Sequence, residues 1–254
     1  MSFRDNLQAL ASAHKTPRGV PAYTLYVNRR LGRVIAAAGY ELGLTPNQLT
    51  IISAALSFAG LAVLVTVEPA LSGVIAALLL AVGYAFDSAD GQLARLRRSG
   101  GPAGEWFDHV VDAAKNVALH GAVLVAAYRF LDVPEAVYWL PLTYQVVSVT
   151  TFSSTLLVDL LQRARQAPKP PAAAGGRVLV GSLAKLPVDF GVMCLVIVFF
   201  GTTLFWWAYG LLLVAATGYL VLHLRQAVRT LSAPVTAPVT TPATAPATTA
   251  EVSS

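Results

Sequence analysis

From Asn47 to Leu224 the chain returns repeatedly to apolar runs of about 20 residues, the length an α-helix needs to cross a bilayer core of ~30 Å. No other feature limits the fold so strongly, because a backbone in hydrocarbon has to satisfy its own hydrogen bonds. We read six runs, near Asn47–Val67, Ala70–Leu96, Glu105–Phe130, Ala136–Leu161, Lys185–Leu204 and Phe205–Leu224. The expected fold class is therefore an all-α integral membrane protein with six transmembrane helices. Composition agrees: only 12% of residues are charged, about half the usual share of a soluble domain.

Charge placement orients the helices. With six spans and the N-terminus inside, 16 of the 18 Lys and Arg residues fall on the inner side, as cytoplasmic segments require. Arg129 falls outside and Lys115 within a span, while the outer loops carry Glu68, Asp132 and Glu135. This predicts a plasma (inner) membrane protein with both termini cytoplasmic. It also accounts for the net charge of +5 with no nucleic-acid partner.

Residues 1–45 form a cytoplasmic segment without the long apolar core of a signal peptide. Within it, YTLYVNRRLGRVIAAAGYELG alternates apolar and basic residues at near-helical spacing, which predicts an amphipathic juxtamembrane helix lying on the bilayer surface. The Thr-Pro-Asn of LTPNQLT marks the start of the first span and of a membrane domain over residues 46–226. Residues 231–254 are a Pro/Thr/Ala-rich tail expected to be disordered. A lone cysteine, Cys194, excludes a disulfide framework or a Cys-based metal site within one chain.

The stretch DSADGQLARLRRSGGPAGEWFDHVVDAAKN, residues 87–116, breaks the apolar pattern with four aspartates. At 3.6 residues per turn, Asp87, Asp90, Gly91 and Ala94 share one helix face, and Gly104, Asp108 and Asp112 share a face of the next helix. The Ser-Gly-Gly-Pro at residues 99–102 has to turn the chain between them. Two antiparallel helices then bring the aspartates face to face near the cytoplasmic end. Carboxylates converging in a low-dielectric site repel one another unless cations neutralise them. An oxygen-only donor set suits hard divalent ions, Mg2+ or Mn2+. Two such ions side by side are a common device of phosphoryl transfer. Gly91 and Ala94 leave space for a ligand beside the helix, whereas Gly83 is read as close helix packing.

The run Asp90-Gly91-x-x-Ala94-Arg95, then Gly104, Asp108 and Asp112 at their fixed spacings, matches the signature of the CDP-alcohol phosphotransferase family, and Asp87 supplies its usual preceding aspartate. The resemblance implies six transmembrane helices, a homodimer and an active site open to the cytoplasm. It implies that Asp87, Asp90, Asp108 and Asp112 hold two divalent cations, Mg2+ or Mn2+. Gly91, Ala94 and Arg95 would receive the CDP-linked donor, with Asn47 and Thr50 beside the nucleotide. Asp112 would be the general base on the acceptor hydroxyl. The reaction implied is transfer of a phosphatidyl group from CDP-diacylglycerol to a small polar alcohol or alcohol phosphate, with release of CMP.

Neighbouring residues refine this expectation. His109 is similar in placement to a histidine of aminoalcohol phosphotransferases that use CDP-choline or CDP-ethanolamine, and it is carried here as a second catalytic candidate. That resemblance keeps open an alternative in which the lipid is the acceptor. Lys115, Arg163 and Lys185 are acceptor-binding candidates, and Arg165 and Arg177 are further candidates by location. Lys115 also reads as an ion-pair partner of an aspartate, and Lys185 as a partner of Asp189 one turn away. A cation- or proton-coupled transporter would use intramembrane carboxylates too, but it would scatter them along a path. His14, His120 and His223 have no evident partner in the sequence.

Overall fold

The computed structural model describes residues 3–12, 20–165 and 181–233, and every regular element among them is helical. The helices are α1 (Phe3–Ser12), α2 (Arg29–Glu41), α3 (Pro46–Thr66), α4 (Pro69–Arg97), α5 (Pro102–Phe130), α6 (Trp139–Ala164), α7 (Phe190–Ile197) and α8 (Thr203–Ser232). Among them α3, α4, α5, α6 with the short turn before it, and α8 are long and apolar enough to cross a membrane.

Local signals set the helix starts. Thr45 caps α3 with a capping box: its hydroxyl accepts from the Gln48 N–H, and the Gln48 side chain accepts from the Thr45 N–H. Pro46, Pro69 and Pro102 stand at the first positions of α3, α4 and α5, where the missing N–H costs nothing. The turn between α4 and α5 begins earlier than its glycines: Arg98 adopts a left-handed conformation, with φ 52°. The Ser99 N–H reaches back to the Ala94 carbonyl at 3.0 Å and closes the helix end.

Helix α3 organises the site. It runs antiparallel to α4, with Thr50 beside Asp90, and parallel to α5, with Ser53 beside Lys115. Helix α5 packs mainly on α3 and α6 instead of on α4, which leaves a cleft between the two aspartate-bearing helices. Close approach of α3 and α4 needs Gly83: a Cβ there would meet the Ser57 hydroxyl at 2.6 Å and the Ser53 carbonyl at 3.0 Å. This fits the packing role read for Gly83.

Two apolar clusters bracket the cleft. The larger gathers Leu64, Leu80, Val123, Ile197, Phe205 and Tyr209 from five helices. The smaller gathers Leu10, Ala36, Ala37, Leu49, Ala89 and Leu93 and fixes α1 and α2 against α3 and α4. Where the sequence predicts the amphipathic helix, the chain forms a π-helical stretch over Thr24–Asn28 and then α2. Its small residues Gly32, Ala36, Ala37 and Gly39 are buried, and Leu31 and Val34 are exposed.

The fifth predicted run, Lys185–Leu204, is not one long helix. A 3-10 turn occupies Leu186–Val188, the Asp189 side chain caps a new helix, and α7 ends after eight residues. Pro187, the cap and the left-handed Gly201 at φ 89° interrupt the continuous α-helical hydrogen bonding that apolarity alone predicts. An eight-residue helix rises only about 12 Å. The segment nevertheless runs along α4: Phe190 packs on Tyr84, the Ile197 carbonyl lies against Gly73, and Gly201 lies against Pro69. Helices α6 and α8 are parallel, with Tyr144 on Tyr209, Ser154 at His223, and Arg165 on the Leu231 carbonyl. Helix α8 extends to Ser232, past the predicted span end at Leu224 and into the start of the predicted tail. His14, Lys169, Arg177 and the tail from residue 234 lie outside the described residues.

Candidate active site

The four aspartates gather at the cleft between α4 and α5. Asp90 is buried and accepts a hydrogen bond from the Thr50 hydroxyl at 2.6 Å. Lys115, itself 5% exposed, pairs with Asp87 and, at 2.8 Å, with Asp112. One ammonium thus ties the α4 acid to the α5 acid, with the Ser53 hydroxyl 3.4 Å away. Ligand atoms of Asp108, His109 and Asp112 lie within 4.8 Å of one another. His109 therefore joins the acids as a possible ligand atom, a role the sequence reading did not give it. Its Nε2 is also 3.8 Å from Glu105.

The chemistry of this donor set fits a divalent cation. It offers carboxylate oxygens on facing helices, and the cation they hold here is the Lys115 ammonium between Asp87 and Asp112. Four carboxylates against one ammonium leave a net negative charge among apolar helices, which is costly without further cations.

The aspartates divide two cavities. The larger, about 1560 Å³, is lined by Asn47, Thr50, Asp90, Gly91, Arg95 and Asp108, with Ala94 and Gly104 in its wall. At Gly91 an added Cβ would meet only the Arg95 guanidinium, at 3.5 Å, so that side of α4 is open. Gly104 faces the Asn47 side-chain oxygen across the recess. Arg29, at the start of α2, is held below its ordinary pKa by burial and then by the nearby Arg95 guanidinium. The Arg95 guanidinium on the wall of this open recess favours an anion there.

The smaller cavity, about 300 Å³, is lined by Asp87 and Asp112 together with Lys115, Asn116, Lys185 and Asp189. Ser148 donates to Asn116 at 2.9 Å on its wall. Of the acceptor candidates, Lys115 and Lys185 thus border this cavity, and Arg163 borders the larger one. Arg163 pairs there with Glu105 at 2.6 Å and with Asp159. The Lys185 ammonium stands 6.0 Å from the Tyr219 ring centroid.

Some participants were not legible in the sequence. His120 binds the Tyr209 hydroxyl at 2.6 Å and stacks on Tyr144, whose own hydroxyl donates to the Pro187 carbonyl. His223 meets Ser154 and stacks on Tyr219. Tyr84, three residues before Asp87, shares that acid's helix face and could have been found by periodicity. Thr24 lies 165 positions from its partner Asp189 and gives no local signal.

Two comparisons with known proteins bear on the chain's family. A stretch of 102 residues is 36% identical to the phosphatidylinositol phosphate synthase of Corynebacterium glutamicum, covering 40% of this chain and 45% of that protein. The match therefore spans less than half the length of that relative. The family model described as CDP-alcohol phosphatidyltransferase matches residues 43–214, a span that holds all four aspartates, most of the residues lining both cavities and five of the eight described helices entire. The chain belongs to the CDP-alcohol phosphatidyltransferase family.

Proposed function

We propose that this protein transfers the phosphatidyl group of CDP-diacylglycerol to the hydroxyl of a small polar alcohol or alcohol phosphate and releases CMP. The observation that carries this reading is the division of the four aspartates between two cavities: Asp90 and Asp108 border the larger, and Asp87 and Asp112 the smaller. Two substrates approaching from opposite sides would meet at the acids. The larger recess, with Gly91, Ala94, Arg95, Asn47 and Thr50, is the donor side. The smaller cavity, with Lys115, Asn116 and Lys185, is the acceptor side.

In this reading Asp87, Asp90, Asp108 and Asp112 would hold two divalent cations, Mg2+ or Mn2+. When bound, those ions offset charge on the donor pyrophosphate and improve CMP as a leaving group. Arg95 holds donor phosphate by charge, and the open flank of Gly91 admits the nucleotide. Thr50 fixes the Asp90 carboxylate by its 2.6 Å hydrogen bond. Asp112 takes the proton of the acceptor hydroxyl, and Lys115 orients Asp112 through their 2.8 Å contact. The name of the corynebacterial relative makes an inositol phosphate the first acceptor to try. A second reading, a CDP-choline- or CDP-ethanolamine-like donor with a lipid acceptor, has His109 beside Asp108 and Asp112 in its favour.

The segment over residues 189–201 would serve as the sixth crossing, since it runs along α4 and connects the parallel helices α6 and α8. Both termini and the site would then face the cytoplasm of a plasma-membrane homodimer.

The test is purified protein with Mg2+ or Mn2+, CDP-diacylglycerol, and inositol phosphate, glycerol phosphate, serine or inositol, with CMP release as the readout. Parallel runs use CDP-choline with diacylglycerol. CMP from a CDP-diacylglycerol pair, lost in excess EDTA, is the expected result. No CMP from any pair would refute the proposal, and full activity in EDTA would refute its metals.

A further inference from the structure

Asp189 is a buried carboxylate that takes no part in the chemistry above. It is 3% exposed and accepts hydrogen bonds from Thr24 and Gly191. The Thr24 N–H donates to one oxygen at 3.1 Å, and the Thr24 hydroxyl donates to the other at 3.1 Å. The Gly191 N–H donates at 3.0 Å. With its one hydrogen committed to Asp189, the Thr24 hydroxyl accepts from the Tyr84 hydroxyl at 2.6 Å. Asn28, one turn further along the π-helical stretch, donates to the Tyr84 carbonyl at 3.0 Å. The Tyr84 ring packs on Phe190, the residue after Asp189, with centroids 5.2 Å apart. One chain of contacts thus fastens the N-terminal segment, α4 and α7 at a single point.

The location of that point gives it meaning. Tyr84 lies one helical turn before Asp87. Tyr84, Asp189 and Pro21 line the smaller cavity together with Asp87 and Asp112. A plain cap for an eight-residue helix needs only the Gly191 contact. The bonds to Thr24 instead hold a piece of chain distant in sequence against the cavity, in a π-helical form, a rare geometry often found at functional sites.

We propose that Asp189, Thr24 and Tyr84 form a latch that holds residues 20–28, keeps Pro21 in the wall of the smaller cavity and so positions the acceptor alcohol against Asp112. This rests on the acceptor-side reading of that cavity. The three are positioning residues, and none touches the reacting atoms.

The test uses full-length Thr24→Val, which removes the hydroxyl and keeps the shape, and Thr24→Ser, which restores the hydroxyl. CMP release is measured against whichever acceptor of the panel supports it. Losing a hydrogen bond to a charged group predicts an acceptor KM raised about tenfold in Thr24→Val, with kcat and donor KM unchanged. Thr24→Ser returns the KM to the wild-type value. Hydrogen exchange of residues 20–28 accelerates in Thr24→Val and not in Thr24→Ser. A wild-type acceptor KM in Thr24→Val overturns the proposal. So does a lower turnover with both KM values unmoved, since that is a folding effect alone, and so does unchanged exchange. Absence of CMP from the wild type with every acceptor would remove the function reading and the acceptor role with it; hydrogen exchange still reports on the latch itself.

Discussion

Gly83 and Gly91 stand two turns apart on α4 and separate packing from clearance. At Gly83 an alanine Cβ would lie 2.6 Å from the Ser57 hydroxyl, 3.0 Å from the Ser53 carbonyl and 3.2 Å from the Ser57 nitrogen. Two of those atoms are backbone of α3 and cannot turn away, so the helices have to separate. Overpacking of this kind costs about 1–3 kcal/mol, partly offset by the roughly 1 kcal/mol that alanine gains over glycine in a helix. At Gly91 the only neighbour is the end of the flexible Arg95 side chain at 3.5 Å, an ordinary contact. There the helix-propensity gain of up to about 1 kcal/mol stands unopposed. Gly91→Ala should therefore melt at or above the wild-type temperature, yet its methyl fills the flank where the nucleotide is proposed to sit. Its donor KM should rise about tenfold or more, the effect of losing some 1.4 kcal/mol of binding. Gly83→Ala should melt lower and keep the wild-type donor KM. Thermal melts in detergent and CMP-release kinetics read both quantities on the same samples. A Gly91→Ala protein with the wild-type donor KM would refute the clearance argument. A Gly83→Ala protein as stable as wild type would refute the packing argument.

Asp112→Asn should remove the proton acceptor and lower kcat by about 10²–10⁴-fold, with a melting temperature close to wild type; activity near wild type would remove Asp112 as the base. Lys115→Met should leave Asp87 and Asp112 facing each other without their shared ammonium, a loss of about 3–5 kcal/mol for breaking a buried pair. Its melting temperature should fall, and millimolar Mg2+ should restore part of it; an unchanged melt without metal would show the pair to be dispensable.

The residues that carry chemistry were legible because their constraints are local. A fixed spacing along one helix decides which aspartates share a face, and Asp87, Asp90, Asp108 and Asp112 do converge at one cleft. The same spacing could not say that α4 and α5 would be held apart, with α3 between them. That depends on Gly83, Ser53 and Ser57 meeting across helices. The division of the acids between two cavities follows from this separation, and so do the different surroundings of Lys115 and Arg163. The fifth apolar run is not one continuous helix, and for the opposite reason: hydropathy reports which residues tolerate lipid and says nothing of where the hydrogen bonding breaks. Pro187 and Asp189 were visible in that run, but the partner that makes Asp189 tolerable is Thr24, near the other end of the chain. Tertiary hydrogen bonds of that separation leave no periodic trace.

Charge at the cleft leads to a last prediction. Four carboxylates, the Lys115 ammonium and the Arg95 guanidinium beside Asp90 leave two negative charges uncompensated. Two divalent cations would overshoot to two positive charges, and the two negative charges on the pyrophosphate of CDP-diacylglycerol would return the cleft to neutrality. Neither ligand alone brings the cleft as close to neutrality as the two together, and unpaired charge in a low-dielectric cleft is penalised. Metal and donor binding should therefore be coupled, each tightening the other by the same factor, as linkage requires. Titration calorimetry of the full-length protein with Mn2+, with and without saturating CDP, measures that factor directly. The expected result is Mn2+ affinity at least several-fold tighter with CDP, a coupling of about 1–3 kcal/mol, and absent in Asp90→Asn, which should lose one of the oxygens that face the larger recess. Equal Mn2+ affinity with and without CDP would mean that the acids and the nucleotide do not share a site, and the two-cavity reading would fail with it.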